Sequence, residues 1–346
     1  MVRTDGGVGR SAGCAALDRN DCEVNQTAGN GLTSDKRNVD AKAAALRTEI
    51  GNQESEIKMG EHLSRYTTAR IGGPADILIE ATNKDELRAI VIAARKVAMP
   101  MLMLGGGSNV LVSDAGVRGL TVINKAKRIE FHAENRVWCE SGTVLPALAR
   151  ECIAHGLGGL EWAVGVPGTI GGAVIGNAGA HGCDVAADLV SATILNANDE
   201  VEEWSNADLK FEYRSSRIKS EARNLKPGIV VLAATFELTP TDRSELEKRA
   251  SEFNDYRRRT QPPGSSIGSM FKNPPGAAAG RLIDQCGLKG TCIGDAEIST
   301  VHANFFVNHG NAQAADVKAL IDLAKVRVLE QFGIELELEI ELIGDW

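Results

Sequence analysis

The segment GVPGTIGGAVIGNAGAHG, residues 165–182, contains seven glycines within eighteen positions. So many glycines in an apolar context weaken regular structure, because glycine loses more conformational freedom on folding than any other residue. Val166, Ile170, Val174 and Ile175 make a flexible surface loop the weaker interpretation. We therefore expect this segment to lie close against a flat ligand or against another stretch of backbone.

A second glycine cluster, LGGGSNVL at residues 104–111, directly follows the apolar strand predicted at Met101 to Leu104. It does not match a P-loop, because no Gly-Lys-Ser/Thr follows, and residues 110–112 predict a strand where a Rossmann turn needs a helix. Backbone N–H groups without neighbouring side chains can converge on an anion such as a pyrophosphate, whereas a tight hairpin is the simpler alternative. The candidate anion-binding residues are Gly105, Gly106, Gly107, Ser108 and Asn109.

Composition narrows the class of protein. A chain of 346 residues suggests two or three domains, and a formal net charge of −8 argues against a nucleic-acid partner. The seven cysteines form no CxxC pair, so no metal site is expected. The sequence shows neither a membrane-spanning apolar run nor a signal peptide, which predicts a cytoplasmic protein without a membrane partner.

The chain divides into three parts. Residues 1–57 lack aromatic residues and regular periodicity, which predicts a largely disordered extension with a short helix at 40–50. Residues 58–238, divided near 124, predict strands with two helices, and order is expected to start near Tyr66. A strand at 76–80, a helix capped by Asn83 that runs through Val97, and the strand at 101–104 form a predicted strand-helix-strand unit, and another strand is predicted at 136–140. Residues 239–346 begin with a charged helix at 242–259 and end in a helix at 315–332, which Gly333 is expected to stop, and an alternating strand at 334–343. This pattern predicts an α+β fold with a smaller C-terminal domain.

Three short segments carry polar side chains suited to catalysis. Arg214 in FEYRSSRIK could clamp a carboxylate, although an isolated arginine is usually a solvated surface residue. GSSIGSMFKNP, residues 264–274, has no GxSxG pattern, which argues against a hydrolase. A serine there could instead protonate a carbanion beside Lys272 and Asn273, or could be structural. The final strand alternates four glutamates with apolar residues, and the pattern alone does not distinguish one of them from a solvent-facing row.

Taken in order, these segments resemble the UDP-N-acetylenolpyruvoylglucosamine reductase family, flavoenzymes of peptidoglycan synthesis. The resemblance runs from about residue 58 to the end. It implies an FAD-binding domain of the vanillyl-alcohol-oxidase type and a smaller α+β substrate domain, with the last strand returning to the active site. The matching segments are YTTARIGGPAD (66–76), GGGSNVL (105–111), GVPGTIGGAVIGNAGAHG (165–182), YRSSR (213–217), GSMFKNP (268–274), AGRLIDQCGLKG (279–290), HANFFVN (302–308) and LELEIELIG (336–344).

The resemblance also implies site roles. NADPH would reduce a non-covalent FAD, and hydride would then pass to the enolpyruvyl group of a UDP-sugar. Arg214 would provide a cation and Glu339 a hydrogen-bonding acid for its carboxylate. Ser269 would protonate the carbanion. Lys272 and Asn273 would hold substrate. Both glycine clusters would bind FAD, the second through Pro167, Gly168, Thr169, Gly172 and Asn177.

The sequence also departs from the family pattern. A substrate-covering tyrosine loop found in one branch is missing, which is typical of the shorter branch, and His181 stands where tyrosine is common. We expect a monomer.

Two alternatives remain open at this point. An FAD-dependent sugar or alcohol oxidase of the same fold would usually carry a His or Cys tether to the flavin. A catalytically inactive nucleotide-sugar-binding regulator would have lost catalytic residues. The closing glutamate strand and the serine segment disfavour the oxidase, and the presence of Arg214, Ser269 and Glu339 disfavours the regulator.

Overall fold

The computed structural model describes residues 15–16, 32–51, 56–223 and 228–346. The helices are α1 (Leu32–Ile50), α2 (Lys84–Lys96), α3 (Leu145–Ala154), α4 (Ile170–Gly176), α5 (Val185–Asp188), α6 (Asn206–Leu209), α7 (Arg217–Arg223), α8 (Arg243–Thr260), α9 (Ala279–Gln285) and α10 (Ala314–Phe332). The strands are β1 (Ala15–Ala16), β2 (Ile57–His62), β3 (Pro74–Ala81), β4 (Met101–Leu104), β5 (Val110–Val112), β6 (Val117–Asn124), β7 (Ile129–Phe131), β8 (Arg136–Glu140), β9 (Leu157–Gly158), β10 (Gly179–Ala180), β11 (Cys183–Asp184), β12 (Leu189–Leu195), β13 (Val201–Ser205), β14 (Val230–Glu237), β15 (Thr239–Pro240), β16 (Ser265–Ser269), β17 (Thr291–Ile293), β18 (Ala296–Ile298), β19 (Phe305–Asn308) and β20 (Glu341–Ile343). Two 3-10 turns span residues 63–66 and 161–165.

The first sheet has the strand order β2-β3-β6-β4. The predicted strand-helix-strand unit is present as β3-α2-β4, and β6 lies between the two strands and pairs with both in parallel. Asn83 begins α2 as predicted, because its side chain accepts a hydrogen bond from the Glu86 N–H at 2.9 Å. The apolar face of α2 packs on the sheet through Leu87, Ile90 and Val91, which are fully buried.

The second sheet is antiparallel, with the order β13-β12-β14-β8-β7. The change from the first sheet to the second falls between Asn124 and Ile129. Helices α3 and α4 and the turn at 161–165 cover one face of this sheet, with Trp162 and Phe236 at the centre of the core. The region therefore places two packed layers beside each other, each with its own apolar core.

The third sheet has the order β1-β17-β18-β19-β16 and packs against α9 and α10. The helix α10 ends at Gly333, whose φ of 66° is left-handed, as the sequence predicted. The expected ten-residue final strand is wrong: only residues 341–343 form a strand. The backbone of residues 337 and 339 hydrogen-bonds to the backbone of residues 272 and 270, whereas the backbone N–H of Glu341 donates to the Asn109 carbonyl. The C-terminal segment therefore changes its hydrogen-bond partner along its length. It thereby connects the C-terminal domain to β5, with which β20 pairs in parallel.

The N-terminal part departs from its prediction. Helix α1 begins at Leu32 rather than near residue 40, and β2 begins at Ile57, before the predicted start of order near Tyr66. Leu46 of α1 is fully buried in the core that contains α2, and Lys96 pairs with Glu49 at 3.1 Å. The expectation of disorder is therefore wrong for the ordered turns of α1, because they cover apolar surface of the first sheet. Residues 1–14, 17–31 and 52–55 lie outside the described residues.

The glycine-rich segment 165–182 is more regular than predicted. Residues 170–176 form the helix α4, which ends at Asn177 with a left-handed φ of 43°. A Cβ on Gly171 would lie 3.2 Å from the Ser141 side chain and 3.3 Å from its carbonyl oxygen, so this glycine permits close packing against another backbone. Within the described ranges, no helix is both long and apolar enough to cross a membrane.

Candidate active site

A cavity of about 420 Å³ brings together the three residues that the resemblance implicated in catalysis. Arg214 comes from the loop before α7, Ser269 from the end of β16, and Glu339 from the C-terminal segment. Asn273 also lines this cavity. Three segments that are distant in sequence therefore meet around one space.

Arg214 lies in a tight two-residue turn. The backbone groups of Glu212 and Ser215 bond to each other in both directions at 3.1 Å, which places Tyr213 and Arg214 at the tip. Arg214 has a φ of 56°, a left-handed conformation that is costly for a residue with a side chain. Its Nη2 donates to the Gly179 carbonyl at 2.8 Å. The backbone strain and this anchor hold the guanidinium over the cavity.

Glu339 is the partner of Arg214. Arg214 Nε lies 2.7 Å from Glu339 Oε1, and the two side chains are 25% and 19% exposed. The Nε–H does not point at a hydrogen-bond acceptor, so the contact is an ion pair rather than an aligned hydrogen bond. Burial raises the pKa of Glu339, and the positive charges of Arg214, Lys219 and Lys272 oppose that rise. The net shift of the Glu339 pKa is upward, so its protonated form, which can donate a hydrogen bond, is more populated than in a free glutamate at the same pH.

Ser269 is positioned by Asn304, which sequence reasoning did not single out. Asn304 is 3% exposed, and its side chain accepts from the Phe271 N–H at 2.9 Å and donates to the Phe271 carbonyl at 2.8 Å. Its backbone carbonyl accepts from the Met270 N–H at 2.8 Å. Since β16 shifts register against β19 between Ser266 and Ser269, these bonds replace the regular ladder just beyond Ser269.

The two predicted substrate residues differ in position. Asn273 is exposed and lines the cavity, and its Oδ1 accepts from the Ala279 N–H at 3.1 Å at the start of α9. Lys272 does not line this cavity; its ammonium pairs with Glu337 at 2.6 Å. The positive charge of Lys272 nevertheless acts on Glu339.

A second cavity, of about 720 Å³, opens between the first two sheets. Three of the ten residues predicted to bind a cofactor line it: Gly105, Gly106 and Thr169. The two glycine clusters meet here, because a Cβ on Gly105 would overlap Thr169 Oγ1 and one on Gly106 would lie 3.3 Å from Gly168 Cα. The side-chain-free backbone of both clusters thus forms one wall.

This cavity fits a dinucleotide such as FAD. Thr143 lines it with a buried hydroxyl for which the described residues provide no hydrogen-bond partner. Lys127 and Arg70 add positive charge to the lining, which suits a pyrophosphate, whereas Lys125 is paired with Glu80 and Arg65 with Glu61. Because a buried polar atom without a partner is costly, a bound ligand would complete the Thr143 site.

The other predicted cofactor residues do not line this cavity: Gly107, Ser108, Asn109, Pro167, Gly168, Gly172 and Asn177. A Cβ on Gly107 would overlap the Tyr66 carbonyl, and the Asn109 amide donates to the Glu339 carbonyl at 3.2 Å. These residues shape the wall and connect it to the C-terminal segment.

The Asn177 side chain is buried and hydrogen-bonded to other groups of the protein. It is 4% exposed, donates to the Glu212 carbonyl at 3.1 Å and to Asp184 at 3.2 Å, and accepts from the Ala186 N–H. Its side-chain amide is thus bonded to protein, and its contact with the cofactor stays a prediction. Its bond to Glu212 supports the turn that carries Arg214.

Several lining residues were missed by the sequence reasoning. Arg281, Lys289 and His302 line the smaller cavity, and Thr143 lines the larger one. Arg281, Lys289 and His302 lie within the family-like segments 279–290 and 302–308, which could have suggested them, whereas Thr143 lies in none of the quoted segments. Among the described residues, no cluster of His, Cys, Asp or Glu could hold a metal ion.

Comparisons with known proteins identify the class. The FAD binding domain family model matches residues 75–205, and the model of the UDP-N-acetylenolpyruvoylglucosamine reductase C-terminal domain matches residues 260–343. The chain is thus an FAD-dependent oxidoreductase with a separate C-terminal domain.

Relatives identify the family. The UDP-N-acetylenolpyruvoylglucosamine reductase of Chloroflexus aggregans is 43% identical over 83% of this chain and 97% of its own length. The enzyme of the same name from Rubrobacter xylanophilus is 43% identical over 83% of this chain and 95% of its own. The crystal structure of the Thermus caldophilus enzyme has a TM-score of 0.70 and 36% identity, covering 84% of this chain and 99% of that one. The chain belongs to the UDP-N-acetylenolpyruvoylglucosamine reductase family.

Proposed function

We propose that this chain catalyses the NADPH-dependent, FAD-mediated reduction of UDP-N-acetyl-3-O-(1-carboxyvinyl)glucosamine to UDP-N-acetylmuramate in peptidoglycan precursor synthesis, in the cytoplasm. The observation that carries this proposal is the Arg214–Glu339 pair beside Ser269 in one cavity. A cation, a carboxyl and a hydroxyl in this arrangement suit a reaction that leaves negative charge next to a carboxylate.

The larger cavity would hold FAD through the glycine wall, Thr143 and Thr169. When bound, FAD supplies the redox chemistry that links oxidation of NADPH to addition of hydride at the enolpyruvyl methylene carbon. The remaining steps belong to the side chains of the smaller cavity. They must bind the carboxylate, stabilise the charge on the adjacent carbon and deliver a proton to it.

Arg214 would bind the substrate carboxylate. Its Nη2 donates to the Gly179 carbonyl and its Nε lies beside Glu339, so the Nη1–H groups would be the donors to the substrate. As charge spreads from the carbanion into the carboxylate, a fixed guanidinium stabilises it without reorganisation. Glu339, kept protonated in part by burial, would donate a further hydrogen bond to the same carboxylate.

Ser269 would deliver the proton to the carbanion carbon. The C–H bond forms as the serine O–H bond breaks, and the charge that remains on oxygen is stabilised by the nearby cations. Asn273 would bind the substrate at the cavity edge, and Lys272 would add positive charge through the adjacent strand. That the chain acts as a monomer stays a prediction, checked by light scattering.

Anaerobic spectroscopy tests the proposal. Purified protein should carry flavin absorbance that NADPH bleaches and the enolpyruvyl sugar restores. Protein that rejects added FAD, or whose reduced flavin is reoxidised by oxygen but not by the enolpyruvyl sugar, would contradict the proposal. The latter result would favour the oxidase alternative.

A further inference from the structure

Arg257 on α8 is a cation without a counter-ion among the described residues. Three other arginines of the same helix are paired: Arg249 with Glu161 at 3.1 Å, Arg243 with Glu247 at 2.7 Å, and Arg258 with Asp255 at 3.7 Å. Within the part of the chain that the structure describes, the Arg257 guanidinium makes no ion pair and no hydrogen bond. Its position therefore differs from that of an ordinary surface arginine.

Arg257 is also partly withdrawn from water. Its side chain lies over Gly165 so closely that a Cβ on that glycine would be 2.8 Å from Arg257 Cδ and 3.0 Å from Nε. Burial lowers the pKa of Arg257, and no carboxylate offsets this effect. An unpaired, partly buried cation is unfavourable, so an anion that binds there would remove a cost already present in the fold.

His181 provides a second polar group at the same place. Its ring stacks on Phe253 at 4.4 Å and meets the edge of Tyr256 at 5.4 Å, one helical turn before and one residue before Arg257. Its buried Nε2 has no hydrogen-bond partner among the described residues. Burial and the charge of Arg257 lower the pKa of His181, which keeps the imidazole neutral at pH 7 with one ring nitrogen able to donate.

A β-hairpin connects His181, and with it Arg257, to the residues that contact Arg214. His181 and Gly182, both with positive φ, form the two-residue turn between β10 and β11. Gly179 at the start of this hairpin accepts the hydrogen bond from Arg214 Nη2. Two residues of extended chain span at most about 7 Å, so the backbone of His181 lies within about 7 Å of Gly179, the residue that Arg214 contacts.

We infer that Arg257 and His181 form a binding site for a phosphate group of a phosphorylated ligand. A guanidinium binds phosphate oxygens in a bidentate manner, and a neutral imidazole N–H adds a third donor. The inference rests on the proposed function, which supplies two such ligands: the diphosphate of the UDP-sugar and the 2′-phosphate of NADPH.

Calorimetric binding to the FAD-loaded enzyme tests the inference with matched ligand pairs. UDP against uridine reports on the diphosphate, and adenosine 2′,5′-bisphosphate against AMP reports on the 2′-phosphate. R257Q should lower the affinity for either UDP or the bisphosphate by about 10- to 100-fold. It should have little effect on the affinity for uridine or AMP. H181F, which keeps the ring stack, should lower the affinity for the same phosphorylated ligand less. R258Q is the matched control, because Arg258 is 81% exposed.

The outcomes separate this inference from the proposed function. Loss confined to UDP supports the site and assigns the diphosphate, and loss confined to the bisphosphate supports the site and assigns NADPH. R257Q should also melt at or above the wild-type temperature, because it removes an unpaired cation. Affinities equal to those of R258Q, or a fall in Tm with equal losses for uridine and AMP, would overturn the inference. Turnover of the enolpyruvyl sugar judges the proposed function independently.

Discussion

Arg214 Nε lies 2.7 Å from Glu339 Oε1, although Glu339 belongs to the C-terminal domain and Arg214 to the loop before α7. The contact depends on two separate features of the chain. A left-handed turn presents Arg214, and the backbone bonds of residues 337–341 to residue 270, residue 272 and Asn109 fix Glu339. The candidate active site is therefore assembled at the junction of the domains rather than within either one.

Ser269→Ala should separate the two half-reactions. In the proposed reaction the hydroxyl serves only to protonate the substrate carbanion, so NADPH should reduce the flavin at nearly the wild-type rate, whereas turnover should fall about 10²- to 10⁴-fold. Stopped-flow absorbance measures both steps. Ser266→Ala on the same strand is the control, and equal loss in both steps for Ser269→Ala would point to structural damage.

Glu339→Gln should change how stability depends on pH. The pKa of Glu339 is raised in the folded protein, so its contribution to stability is fully present below its unfolded pKa near 4.5 and is lost as pH rises through the folded value. The Tm of Glu339→Gln relative to wild type should therefore increase from acidic toward neutral pH. Glu335→Gln, at an exposed position of the same segment, should show no such trend. A difference in Tm that is flat across pH would contradict this assignment.

Asn304→Ala should reduce both stability and turnover. The substitution leaves the buried Phe271 N–H and carbonyl without partners, at a cost of about 1–3 kcal/mol for each group. Since these bonds position the strand that ends at Ser269, kcat for the enolpyruvyl sugar should fall at temperatures where the variant is fully folded. Asn311→Ala on the exposed surface is the control. Unchanged kcat with lowered Tm would make Asn304 purely structural.

Gly105→Ala should impair FAD binding. The added methyl group would overlap Thr169 Oγ1, so one of the two glycine segments must move away from the larger cavity. The flavin content of purified protein and its affinity for added FAD measure the effect. Gly176→Ala should be tolerated, because a Cβ there meets no atom within 4 Å. Equal flavin content in both variants would show that the approach of the two segments is not required.

Leu46→Ala should lower the free energy of unfolding by about 2–5 kcal/mol, because this side chain is fully buried between α1 and the first sheet. Denaturant titration followed by circular dichroism measures it. Thr48→Ala, at an exposed position of the same helix, should change stability little. An effect no larger than that of Thr48→Ala would mean that α1 adds no stability to the domain.

Local signals allowed much of the fold to be predicted. Strands β4 and β8 match the predicted residues in full, and α2 and α10 follow from the Asn83 cap and the Gly333 stop. Each of these signals acts within a few residues of the element that it defines. The helix α1 was underestimated because the apolar surface that it covers belongs to another part of the chain.

The site depended on information that local patterns do not contain. The alternating final segment contains four glutamates with the same spacing, and only the path of the chain past residue 270 brings Glu339 to Arg214. The resemblance to a family selected that glutamate and Ser269, whereas the residues alone did not. The contacts of Asn177 also depended on the fold. It lies in a segment predicted to bind the cofactor, and its side chain bonds to the Glu212 carbonyl of the protein.

The closing segment also sets the order in which the enzyme becomes competent during translation. The glycine wall and Arg214 leave the ribosome well before β20, which must then pair with β5 beside the glycine turn. A chain that ends before residue 339 would still contain both glycine clusters for FAD binding, but it would have no carboxyl opposite Arg214. Loss of residues 339–346 would therefore remove both the β20–β5 pairing and the carboxyl opposite Arg214, and we expect it to yield a yellow protein that does not turn over the enolpyruvyl sugar.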